Sequence, residues 1–363
     1  SAFLLKALME VLKDNRFSVL LRNGRIPEAL VSNGTTGRCQ STSVAGFGSS
    51  LRSVALASCG LLDALKQRPA VAFTTHINFL PAIHQIRKLR GTRSIGLLLG
   101  CEVWDLQHPG RRRALKTADR LWSISDYTRQ RTARELGLDA EKIDLLPLTF
   151  DHSRFEIRPK PNYLLDRLKL KADQPVILTV ARLSAAERYK GQDRVLRQLP
   201  RLLKRFPTLR YLIAGRGDDQ PRLEQLVRDL GVMEHVTFCG FVPDEEMCDY
   251  YNLADVFAMP STGEGFGIVF LESAVCGTPV VAGNRDASPE AAGNGKFGWI
   301  VDPDDGEDLG RALEDALSGD HDKDLLKQPN ALRETVISEF GWDAFRAHVE
   351  RNIRTFEELH FSS

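Results

Sequence analysis

Short β-rich apolar runs alternate with helix-patterned stretches along this 363-residue chain. That alternation points to parallel sheets covered by helices. Leu4, Ala7, Leu8, Val11 and Leu12 share one helical face, and Phe17-Ser18-Val19-Leu20-Leu21 then reads as a strand. Further strands are expected at Val71–Thr75, Ile95–Leu99, Arg120–Ile124 and Lys142–Leu145, with helices between them. The pattern restarts at Pro175-Val176-Ile177-Leu178-Thr179-Val180-Ala181. The polar, proline-bearing stretch around Pro159-Lys160-Pro161 places a hinge between about 150 and 170. After Phe340-Gly341-Trp342 an amphipathic helix is expected to run to Leu359. The length suits two domains of ordinary size.

Composition narrows the class. Hydrophobic residues at 42% and charged residues at 27% are those of a globular protein. No run approaches the roughly 18–20 apolar residues of a membrane span, and no signal peptide is visible, although the first residue is Ser1. The cysteines at 39, 59, 101, 239, 248 and 276 form no CxxC pair, which favours free thiols in a reducing compartment over a disulfide framework or zinc site. The net charge of +1 hides an asymmetry. Residues 1–150 hold 22 Lys/Arg against 12 Asp/Glu, and the remainder 27 against 36. The basic half suits an anionic lipid surface or a lipid diphosphate as well as plain solvated surface, with Arg111-Arg112-Arg113, Lys116 and Arg120 as its densest cluster. No basic stretch is interleaved with aromatics, which argues against nucleic acid.

The chemistry concentrates in Gly263-Glu264-Gly265-Phe266-Gly267-Ile268-Val269-Phe270-Leu271-Glu272, directly after the strand-like Val256–Ser261. Strand, glycine loop and helix is the arrangement by which α/β proteins present backbone N–H groups to a phosphate. Gly265 and Gly267 allow close approach because they lack a Cβ. Glu272, about one and a half turns into the helix, would reach neutral hydroxyls such as those of a ribose. Glu264 would repel a phosphate, so a sugar hydroxyl or a developing positive charge suits it. Read alone, the segment is also a buried core helix with a dipole-complementing glutamate. Two cations join it. Arg182 ends the Pro175–Ala181 run, and Lys190-Gly191 follows. Cations at the carboxyl end of a parallel strand lie where open α/β sheets bind ligands, and Arg and Lys suit a diphosphate.

Arg182, Lys190 and the Glu264-x7-Glu272 motif resemble the retaining, GT-B-fold nucleotide-sugar glycosyltransferases of family four, the glycosyl transferases group 1. The likeness covers most of the chain. Leu146–Asp151 with Phe155 looks like the family's linker, Ala214-Gly215-Arg216-Gly217 like its second glycine turn, and Val236–Val242 with Tyr250-Tyr251 like its nucleobase-binding strand and helix. Gly277–Ala282 and Phe297–Val301 match the family's segments downstream of the glutamate motif.

The resemblance implies an α/β fold of two Rossmann-like, doubly wound parallel-sheet domains facing across a cleft. Residues 1–155 would take the acceptor, 165–340 would bind the nucleotide sugar, and 341–363 would form a helix returning to the first domain. It implies retaining, metal-independent transfer of a hexose from a UDP-sugar or GDP-mannose to a saccharide or polyprenyl-diphosphate-linked acceptor, in polysaccharide or cell-envelope glycan synthesis. The place would be the cytoplasm or the inner face of the membrane. Arg182, Lys190 and Glu264 would be catalytic. Gly215, Phe241, Val242, Gly265, Phe266, Gly267, Ile268 and Glu272 would hold the donor. Apart from the resemblance, His76 and Glu102 read either as cleft residues on the acceptor or sugar side or as a structural hydrogen-bonding residue and a helix-start charge. No cofactor is implied. Asp302-Pro303-Asp304-Asp305 carries an Asp-x-Asp pattern but, set between a strand and a helix, reads as a turn and cap.

Two departures accompany the likeness. The family's opening strand and Gly-Gly loop have no counterpart ahead of the first helix, and Leu99 stands where a histidine is usual. They support another reading, a GT-B chain that binds nucleotide sugar without turnover; an epimerase of the same fold is a separate alternative.

Overall fold

The structure, a computed structural model, describes residues 2–22, 39–46 and 51–361. The chain divides into two compact units, Ser1–Pro147 with Phe345–Ser363, and Leu148–Ala344.

In the first unit, β1 (Phe17–Leu21) pairs in parallel with β2 (Cys39–Ser43). A four-stranded parallel sheet runs in chain order through β3 (Val71–Thr74), β4 (Arg93–Leu98), β5 (Arg120–Ser123) and β6 (Ile143–Leu145). β5 is buried along its whole length, as a strand covered on both faces must be. Leu98, Leu115, Leu121 and Ile143 meet in the core beneath it. The Trp342–His360 helix closes this unit, where Asn352 Nδ2 donates to the Leu145 carbonyl at 3.0 Å. Asp119 is a buried anchor. Its carboxylate accepts from Arg87 Nε at 3.0 Å, Arg93 at 3.1 Å and the Ser94 backbone N–H at 2.9 Å. These bonds hold its carboxyl below the usual carboxylate range against the opposing effect of burial.

The second unit holds a six-stranded, all-parallel sheet of β7 (Val176–Val180), β8 (Arg210–Ala214), β9 (Val236–Gly240), β10 (Val256–Met259), β11 (Val280–Gly283) and β12 (Gly298–Val301). Their spatial order is β12-β11-β10-β7-β8-β9. The chain winds outward from β7 through β8 to β9, returns to the middle as β10, and winds outward the other way. This is the doubly wound dinucleotide-binding order, whose ligands bind outside the carboxyl ends of the two strands at the reversal. Those strands are β7 and β10, which pair directly. Both are apolar runs with almost every residue buried.

The linker Leu146–Phe155, read from sequence with the first domain, falls from Leu148 onward in the second unit. The reason is packing. Phe150 and Phe155 are buried, Phe155 packs on Tyr251 with the rings tilted by 60° and their centroids 6.0 Å apart, and Thr149 Oγ1 donates to the Phe340 carbonyl at 2.8 Å. Among the described residues no helix is long and apolar enough to cross a membrane.

Candidate functional site

The site is built at the reversal point of the six-stranded sheet. β7 ends at Val180 and the chain runs through Arg182 into a 3-10 segment, Ala185–Lys190. β10 ends at Met259 and opens into the loop from Pro260 to Gly267, after which the Ile268–Val275 helix begins. Gly191, at φ 81°, turns the first segment into the Gln192–Arg205 helix. Its Cα lies so close to the Pro260 carbonyl that a Cβ would meet that oxygen at 2.5 Å. The two loops are therefore in backbone contact. Thr262 N–H donates to the Tyr189 carbonyl at 2.9 Å, and a Cβ on Gly263 would strike the Tyr189 ring.

This closeness brings together Lys190 and Glu264, 74 positions apart in sequence. The ammonium bonds the carboxylate, and each side chain is only 14% exposed. Arg182 is ion-paired with Glu187 and stands 79% exposed. Both cations expected to meet a diphosphate thus already have a carboxylate partner. Sequence reading named Glu264 but not its pairing with Lys190, and did not find Glu187 at all.

Gly267, the residue before the helix, sits at φ 97°, and a Cβ there would strike the Phe270 ring at 2.7 Å. Ile268, Val269 and Phe270 supply the first N–H groups, of which Phe270 N–H turns back to Gly267 O at 3.1 Å. The helix start leaves N–H groups and a positive dipole end at the close of the loop that carries Glu264. Phe266 is buried against Phe340, with ring centroids 5.9 Å apart, so only its backbone faces the loop.

Glu272 lies on the same helix. Its Oε2 accepts from the Tyr251 hydroxyl at 2.8 Å, leaving Oε1 for another donor. Burial raises its carboxyl above the usual range, with the Tyr251 bond acting the other way. A proton on Glu272 would remove the acceptor a ribose needs, so affinity for a nucleoside should weaken as pH falls, beginning above the range of an ordinary glutamate. Glu272→Gln is expected to weaken nucleotide binding about tenfold, the scale of one charge-assisted hydrogen bond. It should not lower the melting temperature, because it removes a buried charge. Calorimetric titration of the variant checks this; unchanged affinity would remove Glu272 from the site.

Gly215, expected to touch the donor, has a reason for being glycine within the fold itself. At φ 141°, a Cβ there would collide with the Ala181 carbonyl oxygen, and its N–H donates to Gly240 O at 2.7 Å. Phe241 projects outward at 64% exposed, while Val242 is buried.

One residue that sequence reading missed organises the loop. Asp286, 3% exposed, accepts from the Glu264 N–H at 2.7 Å, from the Ser261 hydroxyl, and through its other oxygen from the Ser288 N–H at 2.8 Å. It follows β11, the strand beside β10. Its place at the carboxyl end of a neighbouring strand was the available signal.

Two candidates lie in the first unit. His76 caps the Ile77–Phe79 turn, its Nδ1 accepting from Asn78 N–H at 3.2 Å. Burial, then the charges of Arg111 and Arg22, depress its proton affinity. Glu102 folds back onto its own turn, where its carboxylate accepts from the Leu99 N–H at 2.6 Å, and burial raises its carboxyl. The usual histidine position, held here by Leu99, is thus tied through its backbone to Glu102. Ser125 caps the Asp126–Leu136 helix. Asp302 pairs with Arg285, and Asp305 caps Gly306–Ser318. Of the basic cluster, Arg112 serves the fold, donating to Leu106 O at 2.9 Å and Glu135 O at 3.2 Å.

Residues 164–335, nearly all of the second unit, match the model of the glycosyl transferases group 1 family. This unit belongs to that family. A GDP-mannose-dependent alpha-(1-6)-phosphatidylinositol monomannoside mannosyltransferase of Mycolicibacterium smegmatis is 36% identical over 243 residues, 64% of this chain and 63% of the relative. The chain therefore spans just under two thirds of that relative's length. Among solved structures, a glycosyltransferase from Rickettsia africae superposes with a TM-score of 0.76 at 17% identity, covering 100% of this chain and 94% of the other. Anabaena HepE in complex with UDP gives 0.75 at 18%, covering 97% and 96%. At such identities the likeness is one of fold, and the fold is GT-B: two Rossmann-like units on one chain, the second carrying the match to the group 1 model.

Proposed function

We propose that the chain transfers a hexose, with retention at the anomeric carbon, from a nucleoside diphosphate sugar to a glycolipid or saccharide acceptor. GDP-mannose is the donor we favour. The observation that carries the reading is the Lys190–Glu264 pair, which joins the loop after β7, carrying Arg182, to the glycine loop after β10 that leads into the Gly267-started helix. The named relative supports GDP-mannose and a lipid-borne acceptor, and the basic N-terminal half, 22 Lys/Arg against 12 Asp/Glu, suits an anionic lipid surface.

The diphosphate leaves as an anion, so stabilising that charge is the main catalytic demand. Lys190, Arg182 and the free N–H groups after Gly267 supply it without a metal ion. Glu264 hydrogen-bonds sugar hydroxyls and Glu272 the ribose. The acceptor oxygen attacks the anomeric carbon on the face from which the diphosphate departs. The sugar–phosphate C–O bond breaks, the new glycosidic bond forms, and the acceptor proton passes to a leaving phosphate oxygen.

Thermal-shift measurement against GDP, UDP, ADP and TDP tests the donor. A ligand at 100 times its Kd adds about 2.7 kcal/mol, which raises the melting temperature of a unit this size by about 5–10 °C. GDP should give the largest shift. No shift with any of the four would sink the site assignment. Binding without turnover of GDP-mannose on phosphatidylinositol mannoside or a polyprenyl-diphosphate sugar would leave the non-catalytic reading in its place.

A further inference from the structure

Cys248 and Cys276 are buried, at 4% and 3% exposed, and their sulfurs lie 4.0 Å apart. They belong to the two helices that hold the ribose carboxylate. Cys248 is three positions before Tyr251 on the Met247–Leu253 helix. Cys276 is four positions after Glu272, at the end of the Ile268–Val275 helix. Residues three and four apart share a helix face, so the Tyr251–Glu272 hydrogen bond and the thiol pair bridge the same seam one turn apart. None of the other four cysteines belongs to either helix.

From this geometry we propose that Cys248 and Cys276 form a reversible, peroxide-sensitive disulfide that weakens nucleotide binding by displacing Glu272. This regulation rests on the reading of Glu272 as the ribose acceptor given above.

The surroundings of the two sulfurs assign their roles. Glu156 N–H points at Cys248 Sγ from 3.4 Å, and the Cys248 thiol lies 3.5 Å from the Glu156 carbonyl; Asn252 Nδ2, also 3.4 Å from the sulfur, donates to Glu156 O at 2.9 Å and Cys248 O at 2.8 Å. The Cys276 thiol, and after it the Glu156 N–H and the charge of Arg158, hold Cys248 below the ordinary thiol range, while burial opposes them. Cys276 is pushed the other way, by the same contact and by burial. Cys248, the sulfur that a backbone N–H faces, is taken as the nucleophile and Cys276 as the resolving thiol. In the first step the Cys248 thiolate attacks one oxygen of a hydroperoxide. The O–O bond breaks, a sulfenic acid forms, and the other oxygen leaves as water, or as an alcohol from an alkyl peroxide, after taking a proton. In the second the Cys276 sulfur attacks the Cys248 sulfur, the S–O bond breaks, the S–S bond forms, and the hydroxyl leaves as water with the Cys276 proton. Two thiols lose two electrons in all, and one peroxide is reduced.

A disulfide needs its sulfurs about 2.05 Å apart. Closing a 4.0 Å gap draws the two helices together at a point one turn from Tyr251 and Glu272. A hydrogen bond at 2.8 Å tolerates only a few tenths of an ångström before it weakens, so Glu272 is re-aimed.

The test uses the whole chain, reduced and then treated with hydrogen peroxide. Peptide mapping under alkylating, non-reducing conditions should find Cys248 linked to Cys276, with two hydrogens lost. GDP affinity by calorimetry should fall at least tenfold on oxidation and return with dithiothreitol. Cys248→Ser and Cys276→Ala should each keep their reduced-state affinity after peroxide. Absence of the linked peptide overturns the proposal, and so does a linked protein that binds GDP as tightly as the reduced one. Failure of the site reading shows separately, as reduced protein that binds neither GDP nor UDP before any oxidant is added.

Discussion

Lys190→Ala is expected to lower sugar transfer about 10²–10³-fold, the usual effect of deleting one group that stabilises a leaving anion. The side chain is mostly buried and salt-bridged to Glu264, so the variant also leaves a carboxylate without its cation. That costs about 1–3 kcal/mol in a partly buried position, or roughly 2–10 °C in melting temperature for a unit of this size. The loss of rate should far exceed what such destabilisation causes at 25 °C, where the variant stays folded. A double variant, Lys190→Ala with Glu264→Gln, separates the effects. It should recover most of the melting temperature, since no orphaned charge remains, and none of the rate. Turnover at the wild-type level in Lys190→Ala would remove the clamp from the mechanism.

Gly215→Ala should be among the most damaging single methyls in the second unit. The new Cβ would collide with the Ala181 carbonyl, a backbone atom that cannot rotate away, and the residue would be held at φ 141°. Ala181 N–H is itself bonded to Ala214 O at 2.9 Å, and Arg182 comes next, so relief of the clash must part β7 from β8 where the site begins. We expect a loss of about 3–5 kcal/mol, the range reserved for backbone overpacking and strain, and a fall in melting temperature of about 10 °C. Gly319→Ala is the control. It also has positive φ, at 67°, but nothing lies within 4 Å of its Cβ. It should cost only about 1–2 kcal/mol of left-handed strain. Scanning calorimetry of the pair decides; equal losses would mean that conformation rather than collision sets the requirement at Gly215.

Much of the fold was legible in the sequence, for a physical reason. Central parallel strands are covered on both faces, so Pro175–Ala181 and Val256–Ser261 stand out as continuous apolar runs and enclose the observed Val176–Val180 and Val256–Met259. The glycine loop and its helix start were legible because their local chemistry is unusual. What could not be read were contacts that exist only once strands become neighbours. Asp286 matters because β11 lies beside β10. Tyr251 matters because its helix packs on the one carrying Glu272. Glu187 and Glu264 look like independent charges in sequence, yet each neutralises a cation that the sequence assigned to the ligand. His76 and Glu102 show the opposite. Both follow strands, as cleft residues do, and both side chains are engaged by the backbone of their own turns.

The resting pairs Lys190–Glu264 and Arg182–Glu187 also affect which anions can enter. At the proposed site an arriving diphosphate would not fill an empty positive well; it would swap places with a tethered carboxylate. A lone phosphate, with no sugar to occupy Glu264 and no nucleoside to engage Glu272, has little to offer in that exchange and should compete poorly. Added salt weakens the resting pair and the bound anion together, so donor affinity should change with ionic strength less steeply than two unpaired cations would make it.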